Sequence, residues 1–256
     1  MESPAMRLFL LSLLSLLAAA SVRAEPAEPK ALLPLFELAG IHLLCEQSLP
    51  LLQRGQEEVE QKRLAQLFAG EAFCLDLAER VSARFEAEQL AEIRERLDSP
   101  LAQRFTSAER AVGEQPEGLA EYRQRLSEQP PRGVRLELVK RLDAAAQTTA
   151  LASLLRYEVG KTQALLALRA RGENLDEAEL QARTQEQAQA IRQSSAQAVE
   201  SFMLYAYRQM PSDQLAEYAT LYEHASVSQL LSASIEVVPQ LFGERREQLR
   251  KAVSKP

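Results

Sequence analysis

The chain has no tryptophan, and aromatic residues make up only 5% of it. Broad stacking platforms for sugars or bases therefore have little to be built from. Only two histidines, His42 and His224, are present, and neither is spaced with a serine or cysteine so as to outline a Ser-His-Asp or Cys-His-Asn arrangement. Glycine is scarce, at nine residues. Gly113, Gly118 and Gly133 stand alone, so no glycine-rich loop offers backbone N–H groups to a phosphate. No stretch alternates apolar and polar residues long enough to suggest a sheet. There is no basic excess either: 30 Lys and Arg stand against 36 Asp and Glu. That argues against a nucleic-acid partner, whose phosphates need a positive face.

Long apolar runs are missing with one exception, at the N-terminus. Arg7 is followed by the apolar stretch Leu8 to Ala20, and Val22-Arg23-Ala24 places small residues where a signal peptidase reads. This is the three-part pattern of a secretory signal peptide, residues 1–24, with cleavage expected before Glu25. The apolar stretch is too short to span a bilayer, which takes about 20 apolar residues. Every later one is interrupted by charge or amide, so no transmembrane segment is expected in the mature chain. Loss of Arg7, Arg23 and Glu2 with the leader makes the formal charge of −6 one unit more negative. The expected location is the periplasm or the exterior.

What remains is rich in Ala, Leu, Gln, Glu and Arg, whose side chains lose little freedom in a helix. The reading is all-α: a multi-helix bundle over residues 25–256. A first helix is expected from about Pro34 to Ser48, with Pro50 and Gly55 marking the turn. A long one should follow from Glu57 to Phe85, then helices over Ala87 to Leu97, Ser99-Pro100 to Gly113, and Pro116 to Ser127. Val134 to Arg171 reads as one stretch interrupted at most at Gly160. Asn174 or Asp176 should cap the next, Glu177 to Gln209. Pro211 opens a short helix to Glu223, and the last runs from Ser226, bent or broken at Pro239.

Two segments resemble each other. Gln89-Leu90-Ala91-Glu92 matches Gln214-Leu215-Ala216-Glu217, and at the same offset Ser107, Ala108 and Val112 match Ser232, Ala233 and Val237. In both places a long helix leads into a short one, a break and another helix. This favours duplication of one unit, with halves of about 31–129 and 134–254, over coincidence in a helix-biased composition.

The stretch Leu97-Asp98-Ser99-Pro100-Leu101-Ala102-Gln103-Arg104, with Leu221-Tyr222-Glu223 at the matching place of the second half, resembles a bacterial domain-of-unknown-function family of secreted helical proteins. Leu97 departs from that family's aromatic pair, and Ala102 stands for its glycine. The resemblance covers about a third of the mature chain. It implies a periplasmic helical domain and brings no catalytic residues with it.

Cys45 and Cys74 are the only cysteines. In an oxidising compartment a structural disulfide is favoured over two buried free thiols. A simple antiparallel hairpin would leave them misregistered by roughly 15–20 Å, at 1.5 Å rise per residue. A bridge needs Cα atoms within about 7 Å, so it requires a break near Gly70, a late helix start or a crossed packing. His42 and Cys45 lie one turn apart, a spacing open to metal ligation, but no second pair completes a set. No metal, cofactor or catalytic residue is assigned. Phe202, Tyr205, Tyr218 and Tyr222 form the densest aromatic group. They read either as ordinary core or as the wall of an apolar ligand pocket with hydroxyl handles. The expected role is a soluble periplasmic binding or interaction protein whose partner is a protein or an apolar ligand. A carrier of an apolar or lipid-like ligand comes second, and an enzyme with an unrecognised site third.

Overall fold

The helix-forming composition is realised throughout. The computed structural model describes residues 27–114 and 116–251, and every regular element among them is an α-helix. Residues 1–24, expected to be a signal peptide, and the last five residues lie outside the described residues. The helices are α1 (Pro29–Leu38), α2 (His42–Gln53), α3 (Glu58–Phe68), α4 (Gly70–Ser82), α5 (Ala87–Leu97), α6 (Pro100–Glu114), α7 (Pro116–Glu128), α8 (Gly133–Ala146), α9 (Thr148–Ala170), α10 (Glu177–Ala206), α11 (Ser212–Tyr222) and α12 (Ala225–Lys251). The all-α reading holds.

Several boundaries differ from the sequence expectation, each for a local reason. The first helix begins at Pro29, and the chain turns at Ala39-Gly40-Ile41, where Gly40 takes a left-handed φ of 74°. Such a φ carries no steric cost without a Cβ. Pro34 and Pro50 lie inside helices rather than marking their ends. The long helix expected over Glu57 to Phe85 is two, parted at Ala69, whose extended ψ of 126° ends α3 and starts α4. The stretch Val134 to Arg171 is also two, parted at Gln147 in the left-handed region (φ 51°), while Gly160 sits within α9. Asp143 supports this turn by accepting from the Thr149 backbone N–H (2.8 Å) and hydroxyl (2.7 Å). Asp176, not Asn174, caps α10 in a reciprocal box with Glu179. Such a box satisfies two otherwise orphaned N–H groups. α12 runs unbroken through Pro239.

The break at Ala69 has a consequence for the cysteines. It lets α4 cross α2 where a continuous helix would have run past it. A Cβ at Gly70 would lie 3.3 Å from Glu46 Cα and 3.4 Å from the Cys45 carbonyl oxygen, so glycine permits the close approach. Cys45 and Cys74 are joined as a disulfide with Cα atoms 5.5 Å apart. Both neighbouring rings of this region, Phe68 and Phe73, pack on Phe242 of α12, each with centroids 5.3 Å away.

A main apolar core runs through the described residues, with a smaller cluster of Leu165, Leu168 and Leu180 between α9 and α10. No single described helix is long and apolar enough to cross a membrane. α1 and α2 together have the composition, but they meet at an 83° bend, and Leu32, Leu35, Phe36, Leu44 and Leu52 are buried in the core.

A packing pattern recurs along the chain. α5 and the start of α6 are matched by α11 and the start of α12, each 125 positions later (212 against 87, 225 against 100). Leu90, Ile93 and Leu97 are buried, and so are Leu215, Tyr218 and Tyr222 at the same offset. Ala102, Phe105 and Val112 correspond likewise to Val227, Leu230 and Val237. α1 packs on α4 and α5, as α8 packs on α10 and α11. The outer contacts are exchanged: α6 lies on α10 and α11 of the second half, and α12 lies on α4 and α5 of the first. α2 and α9 pack on each other between the halves.

The exchange stops where α12 outruns α6. Beyond Pro239 it continues to Lys251 along α9 and carries Arg246, which is fully buried. The guanidinium donates to Glu158 Oε2 at 2.7 Å and Thr162 Oγ1 at 3.2 Å on α9, and to Glu177 Oε1 at 2.6 Å at the start of α10. Lys161 Nζ lies 2.7 Å from Glu177 Oε1, and Arg250 Nη2 3.1 Å from its Oε2. Burial works against the Glu177 anion, but the hydrogen bonds from Arg246, Lys161 and Arg250 outweigh it and hold the carboxyl at about 2. For Glu158 the balance is reversed: burial outweighs Arg246, and its pKa rises.

If Leu90 and Leu215 pin equivalent short helices, replacing either with alanine should cost about 2–5 kcal/mol in urea unfolding, the range for a buried leucine. Glu217→Gln, on the exposed face of the second short helix, should change the midpoint little. A small loss for one leucine beside a large loss for the other would show that the two segments are not structurally equivalent.

Candidate functional site

In the first half, α6 ends at Glu114, short of the extent that α12 reaches in the second. Here α2 and α6 stand on opposite sides of a cavity of about 500 Å³. The size suits a small organic ligand. α8, α9, α10 and α11 complete the wall. Leu44, Leu142, Leu151, Leu155, Phe202 and Met203 give it an apolar surface. Around the rim, Arg110 of α6 reaches Glu37 of α1 at 3.5 Å, and His42 lies near Glu46, with Nε2 3.9 Å from its carboxylate. Leu43, also on the wall, is among the few large apolar side chains with substantial exposure.

The wall carries one internal carboxylate. Glu109, on the inward face of α6, accepts the Tyr207 hydroxyl at 2.5 Å and the Tyr218 hydroxyl at 3.4 Å, both on Oε1. Tyr218 and Tyr222 hydroxyls are 3.3 Å apart. Phe105 locks the rings from below, stacked on Tyr218 with centroids 4.2 Å apart and tilted against Tyr207 at 5.1 Å. No ion pair of Glu109 occurs among the described residues, since the adjacent Arg110 is turned to Glu37. Burial raises the Glu109 pKa, against the opposing effect of the two tyrosine hydrogen bonds and of Arg110. The tyrosines move with it: burial and the nearby carboxylate push Tyr207 and Tyr218 well above the ordinary phenol value, and Tyr222 is raised as well.

The aromatic group named from the sequence is divided by the fold. Phe202, Tyr218 and Tyr222 line the cavity. Tyr205 does not. It faces α7, where it packs on Tyr122 with centroids 5.4 Å apart and carries Arg208 over its ring at 3.9 Å. A Cβ at Gly118 would collide with its hydroxyl, so any larger residue there would have to displace the Tyr205 ring. Helical spacing placed Phe202 and Tyr205 on one face, but each meets a different neighbour across it. Tyr207 and Glu109 escaped notice. Tyr207 sits at the end of α10, where the periodicity stops informing, and Glu109 is one glutamate among many in charged helices.

The other candidates have structural roles. Cys45 and Cys74 are committed to their disulfide, so neither is a thiolate ligand beside His42. Among the described residues no group of three His, Cys, Asp or Glu side chains is placed to hold a metal ion. His224 Nδ1 is 2.9 Å from the Ser226 hydroxyl, and its Nε2 is 3.4 Å from Glu92, an arrangement that joins α5 to the start of α12. The matching position of Glu109 in the second half is Ser234, fully buried and bonded to its own helix at Leu230. The internal carboxylate is therefore particular to one side of the molecule.

No family model, no curated protein and no solved structure matches the chain.

Because Glu109 has a raised pKa in the fold, its contribution to stability is fully present below the ordinary glutamate value. It is lost as pH rises through the folded value. Glu109→Gln removes that titration and keeps the shape. Urea unfolding at pH 4 and pH 8 should show the wild type losing stability relative to this variant as pH rises. A difference that is constant, or that shifts the other way, would mean that burial does not dominate at Glu109.

Proposed function

We propose that this protein is a binding protein rather than a catalyst, and that it holds an apolar small molecule in the cavity between α2 and α6. One observation carries this reading: a space of about 500 Å³ walled largely by leucines, Phe202 and Met203, with a carboxylate–tyrosine cluster on one side and few other polar side chains, among them Thr106, Thr148 and His42. Close-packed interiors do not keep an apolar space of this size without reason, and pockets of this size and lining are the usual form of small-molecule sites. Of the two partners that the sequence left open, a protein and an apolar ligand, only the second has a feature of this kind in its favour. Phe202, Tyr218 and Tyr222 belong to the proposed site, and Tyr205 does not.

The setting we propose is extracytoplasmic. The leader at residues 1–24 would export the chain, and the disulfide fits an oxidising compartment. We also propose that the halves of about 31–129 and 134–254 descend from one duplicated unit, as in the secreted helical family that Leu97 to Arg104 resembles. The recurrence of helix boundaries and of exchanged packing supports this. On this view, the ligand space arose where the copies diverged in length.

The test is displacement of solvent by an uncharged fluorophore. N-phenyl-1-naphthylamine titrated into the purified protein should brighten with saturable, one-to-one binding. Ala152, on the wall contributed by α9, offers a control: Ala152→Trp should fill the space and abolish the signal while the helical circular dichroism is kept. No binding, or binding that Ala152→Trp leaves intact, would refute the assignment.

A further inference from the structure

Resting on the reading of the cavity as a ligand site, we infer that its ligand carries a positively charged amine, seated against Glu109 with an apolar body extending toward α2 and α9. The observations are geometric. Glu109 lines the cavity, and both tyrosine hydroxyls that reach it meet the same oxygen, Oε1. Its Oε2 takes no hydrogen bond from the described residues. A half-buried carboxylate is less well solvated than a free one, so a cation or further donors favour its ionised form, and two phenol hydroxyls on one oxygen supply only part of that need. Among the described residues the adjacent cation, Arg110, is paired with Glu37 at 3.5 Å. The other charged or titratable groups on the wall, Glu37 and His42, lie on the α1 and α2 side. An incoming ammonium would find a carboxylate oxygen awaiting a donor.

The rings around it add to the preference. Phe202, Tyr207, Tyr218 and Tyr222 all border the cavity. Tyr218 and Tyr222 meet edge to face with centroids 5.3 Å apart, so their planes are set at different angles about Glu109. Ring faces carry negative partial charge and attract a cation within about 6 Å. A carboxylate beside several aromatic faces is a common way for a protein to hold an amine out of water. The opposite choice, an anionic head, would place two carboxylates against each other in a poorly solvated space, at the cost of protonating one.

Three monomeric probes that share one tail and differ in the head decide the matter: octylamine, octan-1-ol and octanoate, titrated calorimetrically at pH 7 into the whole protein and into Glu109→Gln. Octylamine should bind the wild type more tightly than octan-1-ol by about tenfold or more, the scale of one desolvated charge pair. Glu109→Gln should erase that preference, bringing octylamine affinity to the level of octan-1-ol in the same variant. Octanoate binding better than octylamine, or an amine preference that survives in Glu109→Gln, would overturn the inference while the apolar site stands. Failure of all three probes to bind would overturn the site reading itself.

Discussion

Arg246 is the residue on which the asymmetry of this molecule depends. Its guanidinium is wholly removed from water and is shared between Glu158 and Glu177. A buried pair of this kind adds little net stability over an apolar packing of equal volume. It is demanding in another sense: any arrangement that strands one partner costs about 3–5 kcal/mol. Few other placements of the last turns of α12 satisfy all these groups, so they are held on α9 and against the start of α10. Phe242 sits one turn earlier and ties the same helix to Phe68 and Phe73, beside the disulfide-linked crossing of α2 and α4. One helix thus anchors both halves.

The cavity is the counterpart of that closure. Where α12 continues and is sealed by charge, α6 stops at Glu114, and both α6 and α2 border an open space. The polar cluster inside belongs to this side alone, since Glu109 corresponds to Ser234, and Tyr218 and Tyr222 to Ile93 and Leu97. Exchange of the outer helices between the halves explains why the site draws on both: Glu109 comes from the first, and the tyrosines that hold it come from the second. A ligand there would therefore touch both halves of the chain and stabilise their association as well as its own site.

Much of the architecture was legible in the sequence because helices are written locally. The bounds of α5 were read to the residue, and Ser99-Pro100 marked the start of α6, since capping and proline act within a few positions. Breaks without such punctuation were not legible. Neither Ala69 nor Gln147 is a residue type that advertises a break; at Gln147 the turn is held by hydrogen bonds from Thr149 to Asp143 that the pattern of apolar residues does not reveal. Pro34, Pro50 and Pro239 did the reverse: they sit within helices that surrounding packing sustains. The disulfide was foreseen from the count of cysteines, and the break it required falls at Ala69-Gly70. The site was only partly visible. Clustered aromatics in α10 and α11 drew attention to Phe202, Tyr218 and Tyr222, but which of them share a space depends on α6. Glu109, the residue on which the chemistry turns, is indistinguishable in sequence from the solvated glutamates around it.

The central claim is that the space between α2 and α6 exists to be occupied. Native mass spectrometry of the protein purified gently from a producing cell addresses it directly. The account expects a population bearing one added small organic mass, which disappears on denaturation and is missing from Ala152→Trp. Bare chain mass in both proteins, or the same added mass in both, would contradict it.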